Sequence, residues 1–406
     1  YALCIKWSII TVLKMSSWED NEEIKIFREY LRIPSVHPDI DYEPCVVFLK
    51  NQANNLGLPI NVYHPVTTKK PVVVITWTGT QPELPSIILN SHMDVVPVYP
   101  EKWTHPPFSA DMDEEGRIFA RGSQDMKCVG MQYLAAIRAL KRNGIQALKR
   151  TIHVTFVPDE EIGGHDGGME DFVKLDEFKN LNIGFSLDEG IAGPNETYPI
   201  FYAERSIWQI NFKITGTAGH GSLLLKNTAG QKLQYLINKM MEFRTHEEQR
   251  LINDSNLLIG DVTTVNLTML KGGVQGNVVP PLMEACFDIR LAITVRKWCD
   301  EAGGDIELEF QQKQPKVPAS RIDASNLYWM AFKKAIDDLG LKTRIQVFPG
   351  GTDSRYVRAT GIPAIGFSPM NNTPVLLHDH DEFLKADTYL RGVEIYKKII
   401  PAVGNA

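Results

Sequence analysis

Five places in this chain carry a histidine or a carboxylate where an apolar run stops or a helix-like segment begins. Residues 86–91 run into His92-Met93-Asp94, residues 151–157 into Pro158-Asp159-Glu160-Glu161, and residues 184–187 into Asp188-Glu189-Gly190. Asp125 stands just before a helix-like segment, and His378-Asp379-His380-Asp381-Glu382 follows the last strand-like region. Each has a plain explanation alone: an Asp before a helix is commonly an N-cap, a Glu pair a solvated turn, a lone His a satisfied core residue. Their joint occurrence says more. Apolar strands that run directly into carboxylates bring acidic groups to one end of a sheet, where unpaired charge is costly unless a cation neutralises it. A mixed imidazole and carboxylate set suits zinc, and two ions about 3.5 Å apart need a carboxylate between them. Such ions polarise a carbonyl and acidify water, which is hydrolytic chemistry.

The elements that must position these groups follow from pattern. Residues 72–77, 86–91, 151–157 and 184–187 read as buried strands, being short, aliphatic or β-branched, and bounded by Pro, Gly or Asp. Residues 127–142 carry Val129, Tyr133, Leu134, Ile137 and Leu140 at the spacing of one helical face, with Gly144 as a stop. Strands alternating with helices predict an α/β fold, a mostly parallel sheet with flanking helices. Sites in such sheets lie outside the carboxyl ends of the strands, where the polar groups fall. The order changes near Tyr202. A strand over 207–215 leads into Gly219-His220-Gly221-Ser222, a helix over 227–250, and strands over 262–270, 282–291 and 306–310. That order predicts an inserted, ferredoxin-like α+β domain. After Pro315 the alternation resumes, with a helix over 328–339 and a strand over 362–367. The expected organisation is a catalytic domain in two parts, 15–201 and 313–406, interrupted by a lid and dimerisation domain at 202–312.

Bulk properties exclude several classes. A chain of 406 residues exceeds the size at which one core stops growing, so two domains are the natural expectation. A formal net charge of -6, with no long Lys/Arg run, argues against a nucleic-acid partner. No run approaches the ~20 apolar residues a membrane-spanning helix needs, so a soluble protein is expected. The cysteines, Cys4, Cys45, Cys128, Cys286 and Cys299, are odd in number and include no C-x-x-C pair, as in a reducing, cytoplasmic compartment. Residues 7–13 are apolar, but Met15 precedes a polar stretch. The simplest reading starts the protein at Met15 and makes 1–14 a leader or disordered extension; a truncated secretory signal is the alternative.

The segments NSHMDVVP (90–97), ARGSQDMKC (120–128), FVPDEEIGGH (156–165), LDEGIA (187–192) and TPVLLHDHDE (373–382) resemble the metal-site motifs of the aminoacylase branch of the co-catalytic di-zinc peptidases. That family also holds carboxypeptidase G2-like enzymes, acetylornithine deacetylases and carnosinase-type dipeptidases. The match runs in order from about residue 24 to residue 401. It implies two zinc ions per subunit bridged by Asp125, with His92 and Glu189 completing one shell and Glu161 and His378 the other. His380 competes with His378; the family spacing, four residues before a Glu, favours His378. Glu160 would be the general base, taking a proton from the water that bridges the metals and handing it to the leaving amine. Asp94 would fix the His92 tautomer.

In the inserted domain, the resemblance implies that His220 stabilises the oxyanion of the partner subunit's site. Asn277 and Arg290 look like the family's substrate-binding pair, and Gly351, Thr352 and Arg355 like the loop lining the substrate carboxylate. It also implies a cis peptide between Asp125 and Met126, and a homodimer. One departure is visible: only residues 291–305 separate Arg290 from the last lid strand, where the family carries a fuller helix. The expected function is zinc-dependent hydrolysis of N-acyl-L-amino acids. A dipeptidase or acetylornithine deacetylase-type amidohydrolase, or a non-catalytic relative, is the alternative.

Overall fold

The computed structural model describes residues 18–290, 306–313 and 317–406. The readings made on 1–14 and on 291–305 lie outside these residues. The described residues divide into two compact units, one within 1–202, 318–345 and 352–406, the other within 203–317 and 346–351.

The first unit is built on an eight-stranded sheet. Its strands are β1 (Ile60–Tyr63), β2 (Val72–Trp77), β3 (Ser86–His92), β6 (Ile152–Val157), β7 (Ile183–Asp188), β8 (Tyr198–Glu204), β15 (Thr343–Phe348) and β16 (Ala364–Gly366), in spatial order β1-β2-β6-β3-β7-β16-β8-β15. The four central strands, β6, β3, β7 and β16, run parallel. β2 and β8 pair antiparallel on either side of them. Successive side chains of a strand point to opposite faces, and both faces here are covered. Val73, Ile75, Ile87 and Leu89 join one core with helices α1 (Glu22–Leu31), α2 (Glu43–Leu56), α3 (Lys127–Arg142), α7 (Leu327–Asp338) and α9 (Ala386–Gly404). Val72, Val74 and Ile88 join the other with α4 (Met169–Phe172), α5 (Asp176–Asn180) and α8 (Ser354–Ala359). Burial on two faces is why β3 and β6 read as continuous apolar runs. β1, at the margin, is only half-buried, and its sequence INVY carries no such run, so pattern alone does not find it.

A small sheet completes this unit. β17 (Phe383–Lys385) pairs β5 (Arg117–Phe119), which pairs β4 (Asp111–Met112). It joins the chain after Glu382 to the chain before Arg121.

The second unit is one helix on one sheet. Strands β11 (Thr264–Gly272), β13 (Leu282–Arg290), β9 (Ile207–Thr215) and β14 (Ile306–Lys313) lie in that order, all pairings antiparallel. Ile210, Phe212, Ile214, Val265, Phe287 and Ile289 face Leu233, Leu236 and Met240 of α6 (Ala229–Asn253). Thr228 starts that helix with a capping box: its hydroxyl accepts from the Gln231 amide, and the Gln231 side chain accepts from the Thr228 amide. The opposite sheet face is polar, with Lys213 paired to Glu309 at 3.0 Å. A two-stranded ribbon, β10 (Gly219–His220) on β12 (Val278–Val279), extends from this unit. Among the described residues, no helix is long and apolar enough to cross a membrane.

Candidate active site

Each candidate donor sits where its strand ends. His92 closes β3, Glu189 follows β7, and Glu160 and Glu161 lie in a single 3-10 turn (Glu160–Ile162) after β6. Asp159 enters that turn with φ of 62°, a left-handed backbone that an Asp tolerates and that reverses the chain sharply. Asp125 precedes α3, and its peptide bond to Met126 is cis, as the family resemblance implied. His378 lies in the loop before β17.

The fold brings these five residues together. His92 Nε2 lies 3.1 Å from Asp125 Oδ1 and 3.8 Å from Glu189 Oε2. His378 Nε2 lies 3.4 Å from Asp125 Oδ2 and 3.1 Å from Glu161 Oε2. The two oxygens of Asp125 thus face different partners. Two donor groups result, His92 with Asp125 and Glu189, and Asp125 with Glu161 and His378, the ligand atoms within each group lying within 4.8 Å of one another. His380 belongs to neither; its ring stands edge-on to Tyr99, with centroids 6.2 Å apart.

Glu160 is buried beside the clusters but supplies no atom to either. Arg355 Nη1 lies 3.6 Å from its Oε1, and at 4% exposure Arg355 is not a solvated surface arginine. Thr352 is buried in the same unit as Arg355.

Two further carboxylates hold the backbone around the donors. The His92 Nδ1 partner is the Asp94 carbonyl oxygen at 2.8 Å, nearer than the Asp94 carboxylate at 3.6 Å. That carboxylate instead accepts the amides of Glu160 and Glu161, at 3.1 and 3.0 Å. Glu382, a spacing landmark in the sequence, is fully buried and gathers the Asp125 loop. Its Oε1 accepts from the Gln124 amide at 2.6 Å, and its Oε2 from Arg121 Nη1 at 2.8 Å and the Gly122 amide at 3.2 Å. Beneath the site, Asn90 donates to Asp188 Oδ1 at 3.2 Å and Ser354 Oγ donates to Asp188 Oδ2 at 2.8 Å.

The electrostatics are those of a cluster short of positive charge. Burial, then the neighbouring Glu189, holds the Glu160 carboxyl well above the usual carboxylate range. Burial, then Asp125, does the same to Glu189 and pushes Glu161 up to about 7. Hydrogen bonds to Asp125 and Glu161 push His378 up to about 10. Burial works against ionisation of Asp125, but the bonds from His378 and His92 outweigh it and hold that carboxyl low. Carboxylates crowded this closely need cations between them. Two imidazoles and three carboxylates sharing one residue fit two divalent ions of the zinc type.

A family model for peptidase family M20/M25/M40 matches residues 88–402. The chain belongs to this peptidase family. Aminoacylase-1 of Homo sapiens is 48% identical over 396 residues, covering 95% of this chain and 96% of that protein. Aminoacylase-1 of Dictyostelium discoideum is 43% identical, covering 96% and 100%. Among solved structures, the M20 family metallo-carboxypeptidase Sso-CP2 from Sulfolobus solfataricus shares the fold with a TM-score of 0.74 at 19% identity, covering 95% of this chain and 99% of that one. Human carnosine dipeptidase 1 shares it with a TM-score of 0.67 at 13% identity, covering 97% and 99%. M20 membership and full-length likeness to aminoacylases make this chain a metal-dependent amidohydrolase.

The remaining candidates of this M20 chain lie in the second unit. His220 is exposed, its Nδ1 2.8 Å from Ser222 Oγ. It is a neighbour of Asn277, whose carbonyl accepts the Gly221 amide at 2.7 Å. Arg290, at the end of β13, is paired with Asp288 at 2.7 Å. Gly351 ends the short stretch 346–351 of that unit.

Proposed function

We propose that this enzyme hydrolyses N-acyl-L-amino acids to a carboxylate and a free L-amino acid, using two zinc ions per subunit. The observation that carries the reading is the pair of donor groups sharing Asp125, with a buried carboxyl, Glu160, beside them and outside both. The full-length likeness to aminoacylases supports the substrate class. Asp125, His92 and Glu189 would hold one ion, and Asp125, Glu161 and His378 the other. Bound there, the ions would supply Lewis acidity toward the scissile carbonyl and toward water.

The chain's own residues do the rest. Glu160 takes the proton of the attacking water on a carboxylate oxygen and returns it to the leaving nitrogen, a task suited by a carboxyl whose affinity for protons burial has raised. Arg355, a permanent cation beside Glu160, with Thr352 and Gly351 forms the binding set for the substrate carboxylate. His220, Asn277 and Arg290 complete the site through the lid, His220 serving the oxyanion of the partner subunit's site in a homodimer. Buried free thiols at Cys45 and Cys128 support a reducing, cytoplasmic setting.

A panel of N-acetyl-L-methionine, N-acetyl-L-ornithine and carnosine tests the reading. Turnover is expected first on N-acetyl-L-methionine, lost on chelation and restored by zinc. Preference for carnosine, or turnover indifferent to chelation, would overturn it.

A further inference from the structure

We infer that His37 is a positioning residue for hydrolysis, acting through Asp94 to aim the turn that carries Glu160 and Glu161. The inference rests on the assignment of Glu160 as base. Its starting point is the turn itself. Three successive backbone amides, those of Asp159, Glu160 and Glu161, are each bound by a side-chain oxygen from outside the turn. The Asp159 amide donates to Tyr42 Oη at 3.0 Å, and the Glu160 and Glu161 amides donate to Asp94 Oδ1 and Oδ2 at 3.1 and 3.0 Å. A non-repetitive turn has no ladder of its own to fix it, so the direction of the two Glu side chains depends on where these acceptors stand.

Asp94 is a fully buried carboxylate, and its orientation needs a donor besides the amides it serves. His37 supplies that donor: its Nε2 lies 2.8 Å from Asp94 Oδ2. An ionised carboxylate only accepts, so this nitrogen carries the hydrogen. The backbone that carries the ring is held in place independently of the Asp94 carboxylate. The His37 amide donates to the Val95 carbonyl at 3.2 Å, the Val95 amide to the Ser35 carbonyl at 2.8 Å, and Ser35 Oγ to the Met93 carbonyl at 2.5 Å. Residues 35–37 are thus laced to the chain that follows His92. The same segment, five residues on, provides Tyr42, whose hydroxyl also donates to Asp159 Oδ1 at 2.7 Å, while Lys70 pairs with Asp159 Oδ2 at 2.6 Å.

One buttress, residues 35–42, therefore holds the base turn at both carboxylates that anchor it. Behind it lies a cavity of about 830 Å³ lined by His37, Tyr42, Lys70 and Asp159. Truncating His37 opens onto existing space, so the loss of the donor is separable from loss of packing. Small displacements of a catalytic group are expensive in rate, whereas nothing in this buttress belongs to the substrate-binding set named above.

Two variants and two readouts test the proposal. His37→Ala should lower kcat on N-acetyl-L-methionine about tenfold or more, with KM within about twofold. His37→Gln, whose amide can donate to Asp94 Oδ2, should recover most of that loss. The second readout needs no substrate: amide hydrogen exchange in a peptide spanning residues 158–162. Exchange at Glu160 and Glu161 should quicken about tenfold in His37→Ala and return towards wild type in His37→Gln. Wild-type protein inactive on every N-acyl amino acid would overturn the functional assignment and leave His37 to the exchange measurement. Unchanged exchange in His37→Ala, or a His37→Gln protein as impaired as His37→Ala, would overturn the role of His37. If His37→Ala does not fold, His37→Leu, which keeps volume without a donor, takes its place against His37→Gln.

Discussion

Removing the carboxyl of Glu160 subtracts a proton carrier and no metal donor, since neither donor group includes it. Glu160→Ala should therefore cost about 10²–10⁴-fold in kcat, the range of one general acid–base group, while zinc content by elemental analysis stays at the wild-type value. Activity near wild type, or loss of metal together with activity, would refute the separation. The same scale shows what residue types can and cannot reveal. His92, Asp125, Glu161, Glu189 and His378 were legible because each ends an apolar run or stands in a motif. Glu382 served only as a spacing landmark. Its four hydrogen-bonding partners in residues 121–124 lie about 260 positions away, and no local pattern announces a contact of that span. His37 had even less to mark it, being an isolated imidazole before a proline.

At the scale of the element, α3 packs close against β3 and β6, with Asp125 just before its first turn, and Gly130 permits the approach. A Cβ at Gly130 would stand 2.7 Å from both Ser91 Oγ and Phe156 Cε1, and 3.0 Å from Ser91 Cβ. Helix propensity alone makes Ala better than Gly by about 1 kcal/mol, but forcing a methyl into a packed core costs about 1–3 kcal/mol. Packing should win, so Gly130→Ala should lower the urea midpoint despite the better helix former. It should also lower kcat, because Ser91 precedes His92; a higher midpoint would show that the helix has room to move. His153, on β6, tests the core from the side of charge. Burial pulls its imidazole down to about 4 from its ordinary 6.5. The unfolded chain then binds the extra proton between those values, so this contribution is intact above pH 6.5 and is lost as pH falls towards 4. The loss approaches about 3 kcal/mol. Denaturant titrations at pH 7 and pH 5 should show a smaller acid loss in His153→Gln than in wild type.

At the scale of the whole molecule, the proposed homodimer makes a quantitative prediction. If His220 serves the partner's site, mixing His220→Ala with Glu160→Ala subunits places an intact His220 opposite an intact Glu160 in half of each mixed dimer. Random exchange makes about half the dimers mixed, so roughly a quarter of wild-type turnover should return by two-fold symmetry. Two inactive parents whose mixture stays inactive, with subunit exchange shown by mass, would place His220 in its own subunit's site or in none. Among the described residues β11 pairs with β13 alone, and an edge strand with Met269 and Leu270 open to solvent is the kind of surface a self-pairing lid would cover.

The sequence by itself determined the parallel core, because strands buried on both faces must be apolar throughout, and it narrowed the candidate donors to the five segments at strand and loop ends, because sites in such sheets form where the strands end. It also carried the family, through motifs in fixed order. Tertiary structure decided what lies between those residues. Only the fold turns the two oxygens of Asp125 towards different partners and gives the Asp94 carboxylate to the Glu160 and Glu161 amides rather than to the His92 ring. It also draws Glu382 under the Asp125 loop. The physical reason is the range of the forces involved: hydrophobic periodicity is written into neighbours along the chain, whereas a buried carboxylate takes its donors from whatever segments the packed core brings within 3 Å or so.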